Sequence, residues 1–533
     1  MADEAGPASA EAKGAGDAEE AAGAPPWQTV YASGDEVSAV YRCHDHPEGH
    51  RYVAVKDRID HFPLIGLSVG WLPATVLDGF DPAGFVESDK STWVHVQFAG
   101  TFRDTRQGQR EGLELRVHPR LVRRTSTETP ALQLSLLCVR WWDYWSNTQW
   151  SDWDVTSDSL FTDLFDGPCS VDKVLPGEYD LHTIWIQKSQ DLANVAADEA
   201  RNLLRGPHIS CWIFLWPTRS TTADSQPGCV CEFQYFAMCQ RLERAGIPTG
   251  WPHSSYVYRQ LSGRLWTPQM CLNPEYKVPP TTRVHYAEFA EAREDVAARA
   301  LGCLMDIRNS MGVPPLADPS KLKGVAKLGF SWVEGSTLPF CGVKSLIEVL
   351  NRLFSHPGSN QIVCLLQEVV PDVICELRLL CFHDACQGLY NFAQEQLWLR
   401  PRPNGGQLEE QGSPPPDIVS EAEALEEFFA GSREAFQQAV EQADKLAEWW
   451  QCWFTTECPE PPQCARLDFH VSRSPEQGVS VWTWEIGDCG SSLCGVEVAS
   501  RNAAALNSAM VNDESGRFPK PLPPLRRRKD PEA

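Results

Sequence analysis

Two short runs that each carry a carboxylate constrain this chain more than any other stretch: Arg466-Leu467-Asp468-Phe469-His470-Val471 and Val481-Trp482-Thr483-Trp484-Glu485-Ile486-Gly487-Asp488. Both alternate with the period of two that a half-buried strand requires, and a polar turn containing Ser, Pro and Gly joins them. Neighbouring strands joined in this way set Asp468 beside Glu485 with their carboxylates on one face. Mg2+ needs such convergence, because it takes hard oxygen ligands at tight octahedral distances and usually completes its shell with nucleotide phosphates. Upstream, Lys327, Gln367, Glu368 and Glu376 follow in order on or beside strand-like runs at 322–330, 362–370 and 374–382. That order suits a site for Mg-ATP.

Composition permits this and excludes several alternatives. A chain of 533 residues with 42% hydrophobic content can bury a large core and should hold roughly two to four domains. Its formal net charge of −24 argues against broad nucleic-acid binding, which depends on neutralising phosphates with Lys and Arg. No run of about 18 apolar residues reads as a membrane span, and the N-terminus lacks the basic and apolar regions of a signal peptide. The 19 cysteines are odd in number and scattered through apolar segments such as those of Cys364, Cys375 and Cys381, which suits reduced thiols in a cytoplasmic or nuclear setting.

Residues 1–26 hold six acids against one lysine and too little apolar material to offset the entropy of ordering, so a disordered tail is expected. Over 28–125 short alternating strands punctuated by Gly, Asp and Pro predict a small barrel. The runs opening at Trp71 and Trp93 resemble the opening strands of Tudor and other SH3-like barrels. Trp71, Phe80, Trp93 and Phe98 then either cage a methylated lysine or arginine of a modified protein or fill the barrel core. The metal-capable groups from Cys43 to His50 lack a second ligand pair at zinc spacing and read as a polar hairpin loop.

From about residue 130 longer helices enter. The Trp-rich run beginning Trp141-Trp142 reads as a domain interface or core rather than a carbohydrate platform. A buried strand over 209–216 and a helix over 232–245 predict an α/β domain across 130–285. A helix carrying Arg259 and Arg264 leads toward Pro279-Pro280. Over 343–354 the pattern is helical. At 401–417 the Pro, Gly and acids mark an insertion. Over 420–450 an amphipathic helix or helix pair is expected, with Gly431-Ser432 at the break. The end, 514–533, is a Pro-rich tail with the basic cluster Arg526 to Lys529, read as an SH3 ligand, a nuclear signal or a solvated tail.

These motifs, most specifically from Leu322 onward, resemble the ATP-grasp superfamily. The resemblance implies an α+β chain in which an ATP-grasp domain over 286–513 follows the α/β domain and the SH3-like barrel. It implies ATP between two lobes, with a carboxylate activated as an acyl phosphate before an amine attacks. By position, Lys327 resembles the strand lysine on the α and β phosphates, and 329–337 resembles the loop that closes over them. Gln367, Glu368 and Val370 belong to a run like the hinge strand that recognises adenine through its backbone. Glu376 resembles the ribose carboxylate, and Arg264 occupies roughly the place of the first phosphate-binding lysine.

Asp468 and Glu485 match the two metal-binding acids, and Arg378 and Arg466 are candidates for stabilising phosphate or acyl-phosphate charge. The chain departs from the family at Gly487, where an asparagine is expected, and Asp488 is the candidate replacement. Beyond it Gly490-Ser491-Ser492 stands at a substrate-side loop, and Arg501-Asn502 reaches a substrate carboxylate or caps a helix. The expected activity is ATP- and Mg2+-dependent ligation of a carboxylate to an amine, small-molecule or protein. The alternative is a catalytically degenerate binding protein with the barrel as its recognition module.

Overall fold

Alternation in the sequence becomes strands wherever one face can be buried. A computed structural model describes residues 28–487, apart from 46–51, 56–61, 105–107, 126–129, 143–169, 219–228, 251–253, 262–263, 314–315, 317, 330–336, 356–362, 385–388, 393–396, 402–417, 459–461, 463 and 476–477. Both expected tails lie outside the described residues, as do all but Pro401 of the expected 401–417 insertion and most of the Trp-rich run; Trp141 and Trp142 are described and buried. The chain divides into two units, 1–40 with 72–99 and 112–129, and 41–71 with 100–111 and 130–533.

In the smaller unit β1 (Glu36–Arg42) pairs antiparallel with β6 (Val122–Arg124), Val37 opposite Arg124. There β3 (Leu64–Val76) pairs with β4 (Val94–Asp104), Ala74 opposite Phe98, and β4 pairs with β5 (Gly108–Val117). In the larger unit β2 (Tyr52–Val55) pairs with β4, Val53 opposite Arg103, and β3 pairs with β8 (Tyr179–Ile186), Leu64 opposite Trp185. Strand β8 runs parallel to β7 (Leu134–Trp141), and β7 parallel to β9 (His208–Phe214). Parallel strands covered on both faces read as continuous apolar runs, and every residue of β7 and β8 is buried. A short parallel pair, β10 (Trp216–Thr218) and β11 (Cys229–Cys231), precedes the helix Glu232–Arg244.

Residues 28–125, expected as one barrel, are divided between the units, and the described strands close no barrel. In the larger unit Val53, Val55 and Leu64 bury themselves against Trp142 and Trp185, an apolar partner that the local strand pattern does not reveal. The four aromatics read as cage or core sit as follows. Phe80 and Phe98 are buried, Trp71 Nε1 donates to Gly177 O at 2.8 Å, and the Trp93 ring lies under the Lys90 ammonium.

Two further sheets in the larger unit position the chemistry. The first has the order β12 (Thr281–His285), β15 (Val363–Glu368), β13 (Lys323–Leu328), β14 (Thr337–Cys341), antiparallel throughout. Period two sends Ala326, Leu328, Cys364 and Leu366 into a core with the helices Arg293–Ser310 and Gly342–Phe354 and leaves Val325, Lys327 and Gln367 on the other face.

The second sheet has the order β19 (Ile418–Val419), β18 (Leu397–Leu399), β16 (Val373–Asp384), β20 (Cys464–Ser474), β21 (Gly478–Gly487), with β17 (Leu389–Phe392) also on β16. Its core face, including Leu377, Leu379, Leu467, Phe469 and Ile486, packs with Phe436, Leu446, Trp450 and Phe454 of the helix Arg433–Glu457. Each such side chain removed from water contributes about 1.5–3 kcal/mol. The expected helix break is present: Ala430 and Gly431 take φ of 52° and 74°, and the Ser432 hydroxyl accepts from Ala435 N to start the long helix. Edge strand β21 is covered by Gln442 of that helix, which donates to Val479 O at 3.0 Å and accepts from Val481 N at 3.1 Å. An edge satisfied this way does not template another strand. No helix among the described residues is long and apolar enough to cross a membrane, and Cys364, Cys375 and Cys381 are buried free thiols.

Candidate functional site

Lys327 projects from β13 on the face away from the helices and is 5% exposed. Its Nζ donates to Gln367 Oε1 at 3.1 Å. Gln367 Nε2 donates to Thr281 Oγ1 at 3.2 Å, and that hydroxyl donates to Pro279 O at 2.7 Å. The relay fixes both amide atoms of Gln367, so the ammonium has one preset acceptor. Its other neighbour is the Trp484 ring, whose centroid lies 3.8 Å from Nζ, within range of a cation–π attraction. Burial, and secondarily the Arg264 charge, pushes the Lys327 pKa down to about 7 against the pull of Glu485.

At the end of β15, Glu368 N–H donates to Pro280 O and Val369 N–H to Lys323 O. Val370 N–H has no partner among the described residues, leaving a backbone donor at the hinge. Glu368 sits opposite Gly324 and turns its carboxylate away from Lys327, to Arg308 at the end of the Arg293–Ser310 helix. Gly324 is required there. A Cβ would lie 2.3 Å from the Phe340 ring and 2.8 Å from Gln367 O.

The second sheet brings its charged side chains to one face by register. Asp468 lies opposite both Arg378 on β16 and Glu485 on β21, and His470 lies opposite Glu376. Arg466, two residues before Asp468 on β20, grips its carboxylate with two bonds of 2.9 Å. Arg378 stands 3.6 Å from Asp468 and 3.5 Å from Glu376. Between Asp468 and Phe469 the register shifts: Phe469 faces Thr483, Asp468 faces Glu485, and Trp484 is the extra residue of a bulge. Strict alternation would send Glu485 to the core. The bulge instead gives Trp484 and Glu485 the same face, Trp484 stacked on His470 at 4.1 Å and Glu485 beside Asp468.

Arg264 completes the group. It lies beyond the helix Ser255–Leu261 rather than on it, has the left-handed φ of 58°, and donates to Glu485 Oε1 at 2.7 Å. A non-glycine residue takes that conformation only when its surroundings compensate. Burial alone would raise the Glu485 pKa, but Arg264, Arg466 and Lys327 outweigh it and hold the carboxyl at about 2. His470 is pushed down to about 3 by burial and by Lys327, so its imidazole is neutral.

Contacts thus connect Arg264, Glu485, Asp468, Arg466, Arg378, Glu376, His470, Trp484, Lys327 and Gln367. Glu368 contributes backbone, with its carboxylate elsewhere. Asp488, the loop at 330–336, Gly490 to Ser492 and Arg501-Asn502 lie outside the described residues. His470, Trp484, Thr281 and Arg308 were not singled out from sequence. The only signal for the first two was their place beside Asp468 and Glu485, and a bulge leaves no mark in an alternating run.

Among the described residues no cluster of three or more His, Cys, Asp or Glu could hold a metal by itself. Asp468 and Glu485 nevertheless supply two hard carboxylates opposed across one strand pair, a donor set that fits Mg2+ arriving with phosphate oxygens. In the structure both acids are neutralised by guanidinium groups, which are equally suited to phosphate.

No family model matches the chain, and no curated protein matches it. Among solved structures it is similar to D-alanyl-alanine synthetase A from Vibrio cholerae, with TM-score 0.44, 11% identity, and 72% of this chain and 99% of that one covered. It is also similar to D-cycloserine synthetase DcsG, with TM-score 0.39, 15% identity, and coverage of 70% and 99%. A third is the D-alanine–D-alanine ligase from Bacillus anthracis complexed with ATP, with TM-score 0.38, 12% identity, and coverage of 72% and 97%. Likeness this distant carries no argument about chemistry.

Proposed function

We propose that the chain is an ATP-dependent ligase of the ATP-grasp kind that joins a carboxylate to an amine through an acyl phosphate. The observation that carries this reading is the meeting of two faces: the buried amine of Lys327 stands over Trp484, and the next residue, Glu485, is paired with Asp468 by the bulge. One face supplies an ammonium with no carboxylate partner among the described residues. The other supplies three acids, Asp468, Glu485 and Glu376, and two arginines, Arg378 and Arg466, with Arg264 reaching Glu485 from beyond the helix Ser255–Leu261.

In this reading Lys327 and Arg264 contact the nucleotide phosphates, Val370 N–H donates to the base, and Glu376 accepts from the ribose. Asp468 and Glu485, with Asp488 as a further candidate, would hold Mg2+, which would supply neutralisation of phosphate charge. Arg378 and Arg466 face the transferring group. A substrate carboxylate oxygen bonds to the γ-phosphorus as ADP leaves, and an amine then bonds to the acyl carbon as phosphate leaves. Exclusion of water from the site protects the mixed anhydride. Screening carboxylate and amine pairs for stimulated ADP release tests the proposal. A carboxylate-dependent rise is expected, and nucleotide binding without ADP release from any pair would sink the ligase reading.

A second reading, nucleotide binding without transfer, is favoured by one observation: both candidate metal acids are already paired with arginines, and Gly487 offers no side-chain oxygen. Divalent-ion titration separates the two. Ligation requires that Mn2+ bind in the presence of ATP.

A further inference from the structure

Arg264 reaches Glu485 from outside the sheet that carries the acids. It lies between the helices Ser255–Leu261 and Thr267–Met270, and its Nη2 donates to Glu485 Oε1 at 2.7 Å. The backbone there is held in the left-handed region at φ 58°, with Arg264 O accepting from the Thr267 hydroxyl at 2.7 Å. A fixed turn thus delivers the guanidinium to the carboxylate. Arg466 and Arg378 project instead from β20 and β16 themselves. The Arg264 side chain is 28% exposed, against 11% for Arg466 and 9% for Arg378. Of the three, Arg264 is the one whose departure disturbs neither strand pairing nor the grip on Asp468.

We propose that Arg264 is a latch on the metal-binding carboxylate: it occupies Glu485 in the free protein, moves to phosphate when ATP arrives, and so admits the divalent ion only together with nucleotide. This rests on the nucleotide reading above and adds an order of events to it. The oxygen that Arg264 occupies is one that a metal at Glu485 needs, because Mg2+ takes carboxylate oxygens at short distances and dehydrates reluctantly. A divalent ion entering alone would also bring two positive charges to a group in which Arg264, Arg378, Arg466 and Lys327 already surround the acids, and like charges repel. Nucleotide phosphates reverse that balance. Their oxygens suit the guanidinium fork as well as a carboxylate does, so Arg264 exchanges one anion for another and is not left as an uncompensated charge.

The test is a pair of titrations of the full chain: Mn2+ alone, followed by the electron paramagnetic resonance of the free ion, and ATP in EDTA, followed by calorimetry. Arg264→Gly removes the guanidinium and suits the backbone, since glycine enters the left-handed region freely. Relative to the wild type this variant should bind Mn2+ alone at least about tenfold tighter, and metal-free ATP at least about tenfold more weakly. A merely structural role would weaken both. Adding Glu485→Gln to Arg264→Gly should abolish the gain in Mn2+ affinity. If Arg264→Gly does not fold, Arg264→Asn, which also accepts left-handed backbone, makes the same comparison.

The proposal is overturned if the wild type binds Mn2+ alone as tightly as Arg264→Gly does, if the gain survives Glu485→Gln, or if metal-free ATP binds both proteins alike. A wild type that binds no ATP, with or without Mg2+, would remove the nucleotide reading as well. Equal binding of metal-free ATP to wild type and variant would leave that reading standing and remove the latch alone.

Discussion

The two sheets that meet at Lys327 and Trp484 solve one problem in opposite ways. Each buries one face against helices and turns polar side chains to the other. On the β13–β15 face a single amine is buried with an amide and an indole for company, and its pKa falls to about 7. On the β16–β20–β21 face charges are buried together, and Asp468 alone meets two guanidinium groups. The first face is short of negative charge and can receive an anion as it stands. The second neutralises itself and must exchange partners before its acids can hold a cation. Removing a charge should therefore have opposite consequences on the two faces.

The largest expected effect is at Asp468. Asp468→Ala leaves Arg466 and Arg378 facing a buried gap, and breaking a buried pair costs about 3–5 kcal/mol. Chemical denaturation should show that loss. A change under about 1 kcal/mol would mean that the second face is solvated like a surface.

Lys327→Met is the counterpart. It should leave stability near pH 7 unchanged or raised, because it removes a desolvated amine. The sign with pH follows from the depressed folded value. Between about 7 and the ordinary lysine value of 10.5 the unfolded chain binds the proton and the folded chain does not, so stability rises with pH across that window. Unfolding midpoints measured from pH 7 to 10 should climb in the wild type relative to Lys327→Met, and parallel curves would contradict a buried, depressed amine. Glu485, whose folded value is also depressed, gives the same slope in a lower window, since stability present above its ordinary 4.5 should be lost as pH falls toward 2.

Smaller effects sharpen the comparison. Gln442→Ala exposes the β21 edge and should cost about 1–2 kcal/mol for two lost hydrogen bonds. Trp484→Phe keeps a ring under Lys327 with a weaker quadrupole, so a loss of about 0.5 kcal/mol is expected. A larger loss in calorimetry would show that the indole acts chiefly in packing.

Much of the second face was legible because alternation is a local property. Asp468 and Glu485 could be placed on adjacent strands from the runs that carry them. Lys327 and Gln367 could be read in order because β13 and β15 are short, apolar and bounded by turn residues. What could not be read depends on contacts distant in sequence. Arg308 reaches Glu368 across 60 positions and Arg264 reaches Glu485 across 221, and nothing local marks either. Strict alternation also hides the bulge at Trp484, without which Glu485 would face the core. Over 28–125 the strand pattern was visible, but the pairing of β3 with β8 was not, so a closed barrel was expected where the described strands form none.

The central claim is that the lysine face and the acid face belong to one Mg-ATP site. Isothermal titration of Mg-ATP into the wild type and into Lys327→Met, with melting curves of both taken alongside, tests it most directly. The account predicts saturable binding to the wild type, with stabilisation of about 2.7 kcal/mol at a hundredfold excess over Kd. In Lys327→Met the affinity should fall at least about tenfold at an unchanged or higher melting temperature. Wild-type melting curves that coincide with and without saturating Mg-ATP, or a Lys327→Met variant that loses its fold while keeping its ATP affinity, would contradict it.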